Sequence, residues 1–305
     1  MLSQQVRDWD LARNNYSGLK RVMRRPLDKP EDADFYVQCN PARIRSSAAK
    51  VDARSIRERP CFLCEKHLPA QQRWVEFGRE YLILVNPFPI FPRHLTIPVR
   101  THEDQLIAGR MDDMLQLAKA LEDFVVFYNG PRCGASAPDH FHFQAGNKGF
   151  LPVERMRQDA GKLLRQNDHV DIRAMEQYHR RIIMLRSSDK QALAGCFEQI
   201  YDFLKPLQPD QPEPMLNILA GYHAPEWQVL VLPRKEHRPW QFHAQGDEQV
   251  MLSPASVDLG GVLVTPREKD YARMDLALME DIFAQVCIDA ANWDDLLNEL
   301  VHKKP

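Results

Sequence analysis

The sequence predicts an α+β fold in which antiparallel strands carry a helix on one face. Three observations predict it. Between residues 80 and 145 the pattern runs strand, strand, helix, strand, strand. Strand-like runs return at 215–222, 227–233 and 260–265, so the second half repeats the class of the first. With 305 residues, 44% of them hydrophobic, the chain can bury one large or two ordinary cores.

Residues 80–88 are dominated by Tyr, Leu, Ile and Val and stop at a proline-rich corner; 94–99 resume as a second apolar run. Two strands joined by that corner follow. Between 103 and 123 the residues Leu106, Met114, Leu117, Ala118 and Leu121 recur mostly at three- and four-residue steps, and Asp112 and Asp113 take exposed positions. That spacing predicts an amphipathic helix. Residues 124–128 and 140–145 predict two more strands, parted by a loop with Gly130, Pro131, Gly134 and Pro138. The unit closes near residue 150. Residues 153–207 are predicted to be mostly helical, and a long helical region is predicted after the strands of the second half.

The formal charge of −2, with Lys and Arg scattered among acids, gives no electrostatic footprint for nucleic acid. No apolar run approaches the roughly 18 residues of a membrane span, and the first residues lack the apolar stretch of a secretion signal. The expectation is a cytoplasmic protein with small-molecule partners, acting on neither nucleic acid nor membrane. Six cysteines in a chain of this size predict no disulfide framework; only Cys61 and Cys64 are close together.

The chemistry concentrates in His140-Phe141-His142-Phe143-Gln144. In a strand, His140, His142 and Gln144 share one face, with like-facing residues about 7 Å apart, and the phenylalanines take the other. Neutral imidazole is a good nucleophile, and its attack on phosphorus divides a nucleotidyl transfer into two steps. Gln144 can donate a hydrogen bond to a phosphate oxygen but cannot supply a proton. Leaving groups that depart as stable anions are therefore favoured. The bland alternative, a polar solvent face on a half-buried strand, is countered by the preceding Gly134-Ala135-Ser136-Ala137 loop, whose small residues let backbone amides approach a phosphate.

The GASAPDHFHFQA string and Asn86-Pro87-Phe88-Pro89-Ile90-Phe91-Pro92-Arg93-His94 resemble two elements of the transferase branch of the histidine-triad (HIT-like) superfamily. That branch includes galactose-1-phosphate uridylyltransferase, diadenosine tetraphosphate phosphorylase and plant GDP-galactose phosphorylase. The resemblance implies two tandem histidine-triad-type halves, 1–150 and 151–305, each an antiparallel sheet with covering helices. Only the first keeps the catalytic strand. It implies His142 as nucleophile with Gln144 beside it, Ser136 and Asn129 near the phosphate, and Asn86 and Phe88 at the nucleotide wall. Segment 40–46 looks like one that lends Arg43 or Arg45 to the phosphates; a basic surface loop is the alternative.

Cys61-Phe62-Leu63-Cys64 offers two thiols, and Zn²⁺ needs two further ligands. The resemblance suggests His102 and His140, which would make the metal structural; His67 is a local competitor, and two inert thiols are the alternative. In the second half, the resemblance makes Arg234 or Arg267 a candidate for a sugar or terminal phosphate; an ordinary polar surface position is the alternative. The resemblance implies a nucleotidyltransferase or phosphorylase acting on a nucleoside diphosphate sugar or dinucleoside polyphosphate, with phosphate or a sugar phosphate as acceptor. A hydrolase and a non-catalytic nucleotide-binding protein of the same fold are the rivals. Relatives are often dimers, so a homodimer is an open expectation.

Overall fold

A computed structural model describes residues 1–44, 52–157 and 159–302. Its backbone is one ten-stranded antiparallel sheet and one small sheet. The strands are β1 (Met23–Pro26), β2 (Tyr36–Cys39), β3 (Trp74–Phe77), β4 (Tyr81–Val85), β5 (His94–Pro98), β6 (Phe124–Asn129) and β7 (His142–Asn147), then β8 (Lys162–Gln166), β9 (Asp171–Gln177), β10 (Arg180–Ser187), β11 (Leu216–His223), β12 (Glu226–Pro233) and β13 (Val262–Thr265).

The large sheet runs β3-β4-β5-β7-β6-β11-β12-β10-β9-β8. Each half contributes three strands, a helix and two strands, and in each half the last strand inserts beside the third. The halves meet where β6 and β11 pair, with Asn129 opposite Asn217. This is the two-half HIT-like architecture that the motifs imply. Alternation along the strands sorts side chains onto two faces. On one face Phe141, Phe143, Ala145, Val126 and Ile218 join a core roofed by the helices Met111–Ala120, Lys190–Leu204 and Ala290–His302. On the other, Phe35, Phe91, Phe127, Leu230 and Phe283 form a second core.

The halves differ on that second face. Leu230 and Leu232 of β12 stand where β7 presents its polar residues, and they pack in the same core as Met279, Ile282 and Phe283 of the helix Leu276–Val286. The counterpart of the polar strand is thus filled with hydrocarbon. The small sheet crosses the halves, because β13 pairs in parallel with β2 and β1 lies on the other side of β2. Among the described residues no helix is long and apolar enough to cross a membrane.

Three expectations need correction. Residues 153–207 are not mostly helical: β8, β9 and β10 precede the single long helix Lys190–Leu204. The hairpin between β9 and β10 turns on Tyr178 and His179, at φ of 51° and 60°. Such turns are usually marked by Asn-Gly or a similar pair, so this one leaves no punctuation to separate the strands. The helix expected over 103–123 is confined to Met111–Ala120. Gly109 at φ 74° breaks the chain direction, and the residues before it run inward, burying Gln105 and Ile107 completely. Strand β7 also begins at His142 rather than His140.

A non-glycine residue at positive φ is strained by about 1 kcal/mol. His179→Gly should therefore raise stability by about that amount in urea unfolding; a lower stability would mean that the exposed His179–Glu280 contact outweighs the strain.

Candidate functional site

A cavity of about 610 Å³ opens on the second face of the sheet, against β4, β5, β6 and β7. Asn86, Phe88, Asn129, Ser136, His142 and Gln144 all line it, as does Arg43. Arg45 lies outside the described residues.

His142 is buried, and its Nδ1 lies 2.8 Å from the carbonyl oxygen of His140. A carbonyl only accepts, so Nδ1 carries the proton and Nε2 keeps its lone pair. Burial lowers the imidazole pKa from 6.5 to about 4, which leaves the ring neutral at pH 7. Its backbone is clamped by Gln105: the His142 N–H donates to Gln105 Oε1 at 2.7 Å, and Gln105 Nε2 donates to the carbonyls of His142 and Asn129, each at 3.0 Å.

The proline-rich corner sets the orientation of Gln144. The Ile90 N–H donates to Nδ1 of the buried His94 at 3.1 Å, so the His94 proton sits on Nε2. That N–H donates to Gln144 Oε1 at 3.1 Å, which leaves the Gln144 NH₂ without a protein partner among the described residues. Burial drives the His94 pKa down to about 3 and keeps this arrangement neutral. Phe91 packs edge-on against His94 and covers Gly146, where a Cβ would sit 2.3 Å from the Phe91 ring. Asn129 follows the same logic. Its Oδ1 accepts from Asn217 Nδ2 at 2.8 Å, Ser256 N at 2.9 Å and Ser256 Oγ at 2.7 Å, so its NH₂ remains as the donor toward the cavity.

Asn86 builds the corner. It accepts from the Phe88 N–H and donates to Thr96 Oγ1, each at 2.9 Å. Arg43 donates to the Phe88 carbonyl at 2.7 Å; burial lowers its pKa to about 10, and it stays cationic at neutral pH. Ser136 sits on a loop that begins at Gly134 (φ 98°), where a Cβ would meet Ala255 Cβ at 2.4 Å. The Ser136 carbonyl accepts from Arg59, whose guanidinium also pairs with Asp139 at 2.9 Å.

Beside the cavity, ligand atoms of Cys61, Cys64, His102 and His140 lie within 4.8 Å of one another. His140 Nδ1 is 3.3 Å from Cys61 Sγ, 3.6 Å from Cys64 Sγ and 3.3 Å from His102 Nδ1, and Cys64 Sγ is 3.3 Å from His102 Nδ1. A tetrahedral ion with bonds of about 2.0 Å to nitrogen and 2.3 Å to sulfur separates its ligands by about 3.3 to 3.8 Å. The set therefore could hold a metal ion. His140 Nε2 donates to the Val99 carbonyl at 2.7 Å, which reserves Nδ1 as the ligand. His67 is engaged by the Cys61 carbonyl at 2.8 Å and stands outside the cluster.

Neither Arg234 nor Arg267 lines the cavity. Arg234 is buried, and its three nitrogens donate to the carbonyls of Val286, Pro254, Glu236 and His237 and to Asn217 Oδ1. Arg267 is spent on Asp270 and Gln249. It is Arg238, His237 and Asp258 that reach the cavity. Asp258 is buried; burial raises its pKa to about 6. Sequence reasoning missed Gln105, His94 and Asp258. Gln105 contacts partners far along the chain and leaves no local pattern; Asp258 accepts from the nearby Ala255 and Val264 N–H groups and reaches the cavity only through the fold, whereas His94 stands in the proline-rich corner motif.

Residues 152–304 match the family profile described as "GDPGP1-like, C-terminal domain". The chain belongs to the GDPGP1-like family. Residues 1–147 match a domain of unknown function, DUF4922. The fold resembles that of yeast Ap4A phosphorylase Apa2. Its complex with AMP has a TM-score of 0.56 at 18% identity, covering 93% of this chain and 95% of the yeast one. Its complex with Ap4A has a TM-score of 0.55 at 18% identity, covering 94% and 97%. No curated protein sequence matches the chain. Profile and fold agree with the HIT-like transferase branch that the motifs of this GDPGP1-like chain resemble.

If Arg234 is structural, Arg234→Met should destabilise the fold by about 3 kcal/mol or more, because several buried acceptors lose their donor. Unchanged urea unfolding with weakened nucleotide binding would instead make it a ligand contact.

Proposed function

We propose that the protein is a nucleotidyltransferase that moves a nucleoside monophosphate to inorganic phosphate or a sugar phosphate through a nucleotidyl-His142 intermediate. The donor is a nucleoside diphosphate sugar or a dinucleoside polyphosphate. One observation carries the reading: the unprotonated Nε2 of a buried, neutral imidazole shares its cavity with two amides, of Asn129 and Gln144, whose oxygens are tied back. The yeast phosphorylase of the same fold and the GDPGP1-like profile add support.

In the first step the Nε2 lone pair attacks the α-phosphorus and forms the N–P bond. The bond from phosphorus to the bridging oxygen breaks, and its electron pair leaves on that oxygen. The Nδ1 proton stays on the ring and keeps its bond to the His140 carbonyl as positive charge develops. The NH₂ groups of Gln144 and Asn129 donate to the phosphoryl oxygens, and Arg43 and Arg238 supply positive charge. Gln144 has no proton to give, so the leaving group departs as a stable anion. In the second step an oxygen of the acceptor attacks phosphorus, and the N–P pair returns to Nε2.

Residues 1–150 act as the catalytic half in this reading, and residues 151–305 form the degenerate half that lends Arg238 and Asp258. We assign zinc to Cys61, Cys64, His102 and His140. With these four protein ligands a bound ion would have no open position, and its contribution would be to hold the His140 backbone. Six cysteines that form no disulfide suit a reducing cytoplasm.

Mixing the protein with GDP-sugars or diadenosine tetraphosphate, without acceptor, should add one nucleoside monophosphate to its intact mass. His142→Ala should show no such gain. Product release from a folded His142→Ala at the wild-type rate would sink the covalent mechanism. Cys61→Ser should lose about one bound zinc per chain by elemental analysis, with lowered thermal stability. A wild type purified without metal and equally stable would remove the zinc assignment.

A further inference from the structure

Gln105 holds the backbone of His142 from outside the strand, and its own position depends on a buried chain of polar groups. Its carbonyl accepts from Tyr128 Oη at 2.9 Å. Tyr128 Oη in turn lies 2.5 Å from Glu213 Oε1, and Glu213 Oε2 accepts from the Ile107 N–H at 2.8 Å. Gln105 and Tyr128 are fully buried, and Glu213 is 3% exposed. Glu213 sits between Pro212 and Pro214 in a segment of the second half, with Gly130 making room: a Cβ there would lie 3.3 Å from Glu213 Oε1.

Tyr128 has one hydroxyl proton and two oxygens within reach. A carbonyl cannot donate, so satisfying the Gln105 carbonyl sends the tyrosine proton there, and the short contact to Glu213 then needs a proton on the carboxyl. We propose that Glu213 is a positioning residue, held as a neutral carboxylic acid whose proton orders Tyr128 onto Gln105 and so fixes the backbone of His142. This rests on the reading of His142 as the nucleophile. Ionisation of Glu213 would turn the Tyr128 hydroxyl back toward the carboxylate and leave the Gln105 carbonyl without its donor. The groups facing Glu213 are Tyr128 on β6, Tyr201 on the helix Lys190–Leu204 and Cys133 in the β6–β7 loop; none is a cation that would hold a carboxylate ionised. Burial accordingly raises the Glu213 pKa from 4.5 to about 7.

The test follows phosphorolysis of diadenosine tetraphosphate and of GDP-glucose by the full chain from pH 5.5 to 9.5. Wild-type kcat should decline on the alkaline side with KM unchanged. Glu213→Gln, which stays neutral, should keep kcat at pH 6 and lose that decline. Tyr128→Phe should lower kcat about tenfold at pH 6 with KM intact. A Glu213→Gln profile that keeps the wild-type alkaline limb, or a folded Tyr128→Phe at full rate, overturns the inference. Infrared difference spectra supply a readout independent of turnover: wild type at pH 6 should show a protonated-carboxyl band that Glu213→Gln lacks. Absence of that band overturns the inference even if neither donor reacts, whereas inactivity of the wild type alone counts against the proposed function.

Discussion

The hydrogen bond from His142 Nδ1 to the carbonyl of His140 joins the two halves of the site. One residue, His140, gives its ring to the Cys–His cluster and its carbonyl to the neighbouring imidazole. The tautomer of His142 is thereby set by backbone, which cannot change its protonation, rather than by a carboxylate that can. Everything else in the cavity is arranged around that fixed lone pair. The amides of Gln144 and Asn129 are oriented the same way, each with its oxygen occupied by protein donors. The side chains of His142, Gln144 and Asn129 thus take their orientation from direct partners that stay neutral near pH 7.

The repeated strand order gives two sites in principle and one in fact. Both halves place a strand between their third and fourth, with one face toward the second core. In β7 that face carries a polar set that keeps a cavity open; in β12 leucines meet the helix Leu276–Val286 and the space is closed. The second half has exchanged a pocket for burial. It still acts on the first through Asn217 and Ser256, which tie the Asn129 oxygen, and through the loop that carries Arg238.

What the sequence disclosed follows from periodicity and local chemistry. Alternation in residues 140–145 separated His142 and Gln144 from Phe141 and Phe143, and the structure keeps that separation. Cys61 and Cys64 were legible as a CxxC pair, whereas His102 and His140 were named only through the family resemblance; the fold brings the four together. Partners set by tertiary contact were not legible. Gln105 meets His142 37 residues away, and Tyr128 meets Glu213 85 residues away, so no window shows either pairing. Strands β9 and β10 escaped notice because a turn through Tyr178 and His179 borrows its strained conformation from tertiary packing, including the contact of Tyr178 with Phe35.

The parallel pairing of β13 with β2 carries a consequence for the order in which the molecule is made. Strand β2 lies between β1 and β13, and Val264 and Asp258 from the same late region line the cavity. A chain emerging from the ribosome has the motif of residues 140–144 long before it has the wall that encloses it. Closure waits on a contact spanning more than two hundred residues, the kind that forms slowly because a long loop must be ordered first. Until it forms, the part of the cavity wall that Val264 and Asp258 supply is missing from beside the imidazole.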